Sequence, residues 1–142
     1  MVLIRIICMG RLREEWKAVQ EEFMKRIGKF CRAEIIEMRK GEREVVKRML
    51  VREKERGARL IVLDERGGQL TSREFAGLVE KNNYLVFFIG GKEGMEEEIR
   101  KMGDLVLSLS SLTFSHQLAR IILLEQIYRA FCILHHHPYA SE

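Results

Sequence analysis

Three places in the 142-residue chain carry backbone or side chains suited to holding a ligand, and each falls where an apolar run ends. Leu63-Asp64 closes the run R-L-I-V-L. Gly90-Gly91-Lys92-Glu93-Gly94 closes Y-L-V-F-F-I, and with no Cβ at Gly90 and Gly91 a ligand can approach the main chain closely. Ser108 to Phe114 closes D-L-V-L-S and offers small hydroxyl residues before a long apolar segment. The glycine segment matches neither the dinucleotide-binding nor the phosphate-loop pattern, so by itself it reads first as a tight turn. Asp64 with Lys92 one strand over suggests a phospho-acceptor site. That chemistry also needs paired acids after the first strand, where Cys8, Met9 and Gly10 stand, and it is discarded. His116, beside Ser115, is either a base or a core histidine. His135, His136 and His137 are consecutive and cannot all face one ion from one helix, so no metal site is expected. Neither a Ser-His-Asp arrangement nor a pair of catalytic carboxylates stands out.

These places need elements to carry them. Val2 to Met9 is apolar apart from Arg5 and reads as a buried strand, broken by Gly10. Glu14 to Phe30 places Trp16, Val19, Phe23, Ile27 and Phe30 at helical spacing. Arg32 to Met38 alternates as a second strand, and Gly41 to Arg56 reads as a helix with Val45, Met49 and Arg52 on its inner line. Arg59 to Leu63 is a strand followed by a D-E-R-G-G turn. Thr71 or Ser72 caps a helix to about Lys81, and Tyr84 to Ile89 is the most apolar strand. A short helix from Met95 to Met102, a strand from Asp104 to Ser108, and a long helix capped by Ser115 complete the chain. Strands alternating with helices, and buried on both faces, predict an α/β fold with a largely parallel sheet and helices on both sides. Ligands in such sheets bind beyond the carboxyl ends of the strands, where the three places above lie. The last helix is apolar around most of its circumference, which fits either a central core helix or one shared with a second subunit.

Length and composition bound the rest. One domain across 1–142 is expected, with a single sizeable core. Charged residues at 32% and hydrophobic ones at 46% exclude a disordered chain. The net charge of +4 permits an anionic partner without demanding one. Lys17, Lys25, Arg26 and Lys29 on the first helix and Arg43, Lys47 and Arg48 on the second are candidates to hold phosphates. No apolar run approaches the ~20 residues of a membrane span, and the start reads as a strand, not a leader peptide. Cys8, Cys31 and Cys132 are far apart in apolar surroundings, which predicts buried free thiols and a cytoplasmic protein.

Taken together the segments are much more specific than they are apart. V-L-D-E-R-G, then F-F-I-G-G-K-E-G, then L-S-L-S-S-L-T-F-S-H-Q-L-A-R-I-I-L-L-E-Q-I-Y-R-A-F, then H-P-Y closely resembles the RlmH family. These are SPOUT-class methyltransferases acting on a pseudouridine of large-subunit ribosomal RNA. I-R-I-I-C-M-G-R-L-R-E and E-I-I-E extend the resemblance over essentially the whole chain. It implies an α/β trefoil knot in the C-terminal half, formed by a segment threading a preceding loop. It implies S-adenosylmethionine held by Leu63, Gly90 and the run Leu109, Ser110, Ser111, Leu112, Thr113 and Phe114. It implies a homodimer whose interface includes the last helix, with ribosomal RNA as partner and the N-3 ring nitrogen as the methylated atom. Candidates for catalysis are His116, Arg120, His137 and Tyr139: the histidines as base, or the arginine and tyrosine steadying the developing anion. The alternatives are a non-catalytic RNA-binding or assembly factor of the same fold, or a SPOUT enzyme acting on transfer RNA. The chain departs from the family's pattern at Ser115, where proline is usual. It departs again at Ala140, where histidine is usual, and in short connections near Arg39 to Glu42 and at Asn82-Asn83.

Overall fold

The computed structural model describes residues 2–141; Met1 and Glu142 lie outside the described residues. The strands are β1 (Leu3–Met9), β2 (Arg32–Met38), β3 (Arg59–Gln69), β4 (Tyr84–Ile89) and β5 (Leu105–Ser108). They form one sheet in the order β2-β1-β4-β3-β5, every neighbouring pair parallel. The helices are α1 (Glu14–Ile27), α2 (Arg43–Glu55), α3 (Ser72–Lys81), α4 (Glu97–Met102) and α5 (His116–Leu134). Side chains alternate across the strands. Ile4, Ile6, Cys8, Leu85, Phe87 and Ile89 meet α1, α3 and α5, while Ile7, Leu60, Val62, Val86 and Phe88 meet α2 and α4. The expected parallel sheet with helices on both faces is therefore what the chain forms.

Several boundaries differ from the sequence reading. Helix α1 ends at Ile27, not Phe30, and Phe30 leaves the helix to stack on Phe131 with centroids 5.3 Å apart. Residues Lys40–Glu42 form a 3-10 turn before α2, and α4 starts at Glu97. The inner line of α2 is Val46, Leu50 and Glu53, while Val45 is exposed. A buried glutamate marks this face because Arg5, the one charge in β1, bonds both Glu53 and Glu34 and donates to the Tyr84 hydroxyl at 3.0 Å. An acidic residue carries no apolar periodicity, so the pattern of Val45, Met49 and Arg52 predicts a face one residue away from the buried one.

The D-E-R-G-G segment does more than turn. Strand β3 bulges after Leu63 and rejoins β5, with Gly68 opposite Leu107 and Gln69 opposite Ser108. Gly67 passes so close to β5 that a Cβ there would sit 2.5 Å from the Val106 carbonyl oxygen, which only glycine avoids. Cys8, Cys31 and Cys132 are buried free thiols, and burial pushes Cys8 up to about 12 and Cys31 up to about 11. Among the described residues no helix is long and apolar enough to cross a membrane.

Candidate active site

Because β4, β3 and β5 are consecutive in the sheet, their carboxyl-end loops meet. The loop after β5 is tightly folded: the Ser108 hydroxyl donates to the Ser110 carbonyl at 2.8 Å, and Ser110 Oγ accepts from the Leu112 N–H at 3.0 Å. Two bonds tie it to the β3 extension, Thr113 Oγ1 to Glu65 at 2.7 Å and Gln69 Nε2 to Ser111 Oγ at 3.0 Å. Ser115 then caps α5 by accepting from the Leu118 N–H at 3.2 Å.

Between this loop and the glycine segment lies a cavity of about 460 Å³. Leu63, Gly90, Leu109, Ser110, Leu112, Thr113 and Phe114 all line it. Ser111 does not line it and is engaged with Gln69 instead. Leu112 stands on its lip, 71% exposed. A second cavity of about 310 Å³ lies on the far side of the glycine segment, against Met9, Phe88 and Ile99. Gly90, Gly91, Lys92, Gly94 and His116 belong to the walls of both.

The four residues singled out for catalysis are placed very differently. His116 sits at the shared wall. Its Nε2 lies 3.1 Å from Gln117 Nε2. The Gln117 amide is oriented by backbone at both ends: its Oε1 accepts from the Arg13 N–H at 2.7 Å, and its Nε2 donates to the Arg11 carbonyl at 2.8 Å. An amide nitrogen only donates, so His116 Nε2 accepts and the neutral ring carries its proton on Nδ1. Burial and the charges of Lys92, Arg120 and Arg13 hold the His116 pKa below its ordinary value.

Arg120 is 1% exposed and lines neither cavity. It donates to Glu37 Oε2 at 2.6 Å and to the Gly10 carbonyl at 3.1 Å, so it positions the chain after β1. His137 and Tyr139 lie beyond the other end of α5, whose 19 residues span about 28 Å. There Tyr139 donates to Glu125 Oε2 at 2.7 Å and lies 4.6 Å from the Tyr128 ring. Sequence reading passed over Gln117; its only signal was a polar residue, beside a histidine, opening an otherwise apolar helix. Among the described residues no three metal-ligating side chains cluster. Of the helical cations, Arg43 bonds Glu93, Lys47 bridges Glu44, Glu96 and Glu98, and Arg26 pairs with Glu22.

The family described as predicted SPOUT methyltransferase matches residues 2–140, which places this parallel sheet and its strand-end cavity in the SPOUT class of methyltransferases. Ribosomal RNA large subunit methyltransferase H of Geobacter sulfurreducens is 40% identical over 149 residues, covering 96% of this chain and 97% of that protein. The protein of the same name from Acetivibrio thermocellus is 38% identical, covering 96% and 98%. The chain belongs to that methyltransferase H family. A likeness in fold alone links it to the crystal structure of tRNA (m1G37) methyltransferase from Aquifex aeolicus. The TM-score there is 0.61 at 14% identity, covering 89% of this chain and 69% of that one.

SPOUT methyltransferases use S-adenosylmethionine as methyl donor. In the 460 Å³ cavity Leu63, Ile89, Leu107, Leu109 and Phe114 would supply apolar walls for its purine, and the folded loop would supply backbone polar groups for the purine edge. A Cβ on Gly90 would sit 3.4 Å from the Gly94 carbonyl oxygen and from the Met95 methyl, so its absence keeps the wall thin.

Proposed function

We propose that this chain methylates the N-3 ring nitrogen of a pseudouridine in 23S ribosomal RNA, as one catalytic domain across 1–142 working as a cytoplasmic homodimer. The observation that carries the reading is the cavity at three converging strand ends with His116 at its wall. The substrate follows the names of relatives that match nearly the whole chain. The knot implied by the family resemblance is part of the reading. It is supported by the course of residues 109–115, which run between Glu65 and Gln69 on one side and the glycine segment on the other.

S-adenosylmethionine supplies a methyl group already activated by its sulfonium. The acceptor nitrogen would give up its proton to water, since His116 Nε2 is engaged by Gln117, and the chain's own residues must align that nitrogen and steady the charge that gathers as the proton leaves. Nε2 of His116 is occupied by Gln117, so the ring offers Nδ1–H. That donor suits a pyrimidine carbonyl oxygen on which negative charge develops. Arg120 acts as a positioning residue. His137 and Tyr139, about 28 Å away along α5, reach a donor cavity only if it belongs to a second copy. A partly exposed line of Leu118, Ile122 and Ile133 on α5 is the surface available to that copy.

The test is mass spectrometry of ribosomal RNA from a strain lacking the protein, followed by restoration with purified protein, S-adenosylmethionine and ribosomes. Loss and recovery of one methylated pseudouridine is expected. A methyl group lost from transfer RNA, or a purified protein that binds no S-adenosylmethionine with or without RNA, would defeat the proposal.

A further inference from the structure

The four residues after β1 each have a backbone polar group fixed by a side chain from elsewhere in the chain. The Gly10 carbonyl accepts from Arg120, the Arg11 carbonyl from Gln117, the Leu12 N–H donates to Glu37 at 3.0 Å, and the Arg13 N–H donates to Gln117. Arg120 and Gln117 are 1% and 4% exposed, so two buried polar side chains serve this one loop. Arg120 Nε itself has no partner, but breaking the bonds these side chains do make to the loop would strand further buried polar groups, so the loop's conformation is highly specified. Gly10, at φ +99°, gives the turn that lets β1 enter it.

What the loop presents is a pair of exposed arginines, Arg11 and Arg13, at the rim of the smaller cavity. Lys92 stands at the same rim on the glycine segment. No ion pair among the described residues involves any of the three, whereas Lys40 and Arg43 beside them are both held by Glu93. Glu37 feels the charge of Arg11, but Arg120 and the Leu12 N–H already occupy its Oε2. The cavity therefore joins an apolar floor, Met9 and Phe88, to a rim where Arg11, Arg13 and Lys92 stand outside any ion pair and the lining carboxylates Glu93 and Glu96 are paired with Lys40, Arg43 and Lys47. S-adenosylmethionine carries no phosphate, so the donor offers these cations no phosphate partner.

We infer that the smaller cavity is the acceptor site, taking one unstacked nucleotide with its ring on the apolar floor and its phosphodiester on Arg11, Arg13 and Lys92. The inference rests on the proposal of an RNA substrate and adds where the strand is gripped. Gly90, Gly91 and His116 border both cavities, so a nucleotide held here lies next to the donor, and the acceptor nitrogen meets the methyl group where the two cavities adjoin. Extruding a nucleotide costs a few kcal/mol of stacking, and phosphate contacts beside the pocket offset part of it.

The experiment compares the Arg11→Ala/Arg13→Ala and Lys92→Ala variants with a Lys81→Ala/Lys101→Ala control, two exposed lysines away from both cavities. Folding is checked by circular dichroism, donor affinity by calorimetry, and binding and methylation of ribosomal RNA across a salt series. Donor affinity should stay within about twofold of wild type. KM for RNA should rise about tenfold, and the salt slope should fall by about one unit per cation removed, with the control unchanged. Folded variants with wild-type KM and slope would overturn the site while leaving the methyltransferase reading intact. So would variants that lose donor affinity instead, since the cations would then hold the donor's carboxylate. A wild-type protein that bound no RNA would defeat the substrate reading and this site with it.

Discussion

Arg120 on α5 donates to the carbonyl of Gly10 at the end of β1, 110 residues earlier in the chain, while its other terminal nitrogen holds Glu37 at the end of β2. The Glu37 side chain is 36% exposed and that of Arg120 only 2%, so the two ends of the pair are not equivalent. Glu37→Ala strands a buried guanidinium without its counter-charge and should cost about 3–5 kcal/mol. Arg120→Met leaves a carboxylate that water reaches and one carbonyl to satisfy, about 1–3 kcal/mol. Urea denaturation of both variants measures the order, and the reverse order would refute the clamp.

The same pair predicts an acid limb. Burial acts to raise the Glu37 pKa, but the Arg120 and Leu12 hydrogen bonds and the charges of Arg120 and Arg11 outweigh it, and the net shift is downward. Folded protein therefore binds fewer protons here than unfolded protein between the two values. The stabilisation is complete above the unfolded value near ~4.3 and disappears as pH falls through the folded one. Stability measured from pH 6 downward should fall less steeply in Glu37→Ala than in wild type.

His116 should be uncharged at neutral pH, since burial and three cations depress its pKa. Lowering the pH protonates Nε2 and breaks the bond from Gln117, so activity should be lost on the acid side. Gln117→Glu places an anion against the ring and should move that loss to higher pH. A pH–rate profile with NMR titration of the histidine checks both. An unshifted acid limb in the variant would show that Gln117 does not govern the ring.

Gly90→Val should fold, because a Cβ at this position meets its neighbours at ordinary contact distance. The branched side chain would fill the donor cavity, and calorimetry should find S-adenosylmethionine binding weakened at least about a hundredfold. Unchanged affinity in a folded variant would remove Gly90 from the site.

Assembly can be read by complementation. His116→Ala and a variant lacking residues 137–142 should each be inactive alone. Mixed after reversible dissociation, half the dimers are hybrids with one complete site in two, so about one quarter of wild-type activity should return. Ile122→Arg, on the partly exposed line of α5, should give a folded monomer by light scattering; Ile121 and Leu124 are buried and would unfold the chain instead. A monomeric wild type would end the dimer reading.

The sequence by itself determined the layering and the strand ends that line the cavity proposed for the donor, because both rest on local patterns. Runs such as Y-L-V-F-F-I, the Ser115 cap and the glycine and serine strand ends are encoded within a few residues of where they act. Tertiary structure alone decided the inner face of α2, where Glu53 is buried only because Arg5 and Tyr84 come from two other strands. It also decided that Arg120 is a clamp, that Gln117 fixes the tautomer of His116, and that Arg11 and Arg13 stand at the cavity rim outside any ion pair among the described residues. Polar residues carry no periodic signature of burial. Whether one is a solvated surface group or a buried contact depends on partners brought from 48 to 110 residues away, and only folding supplies them.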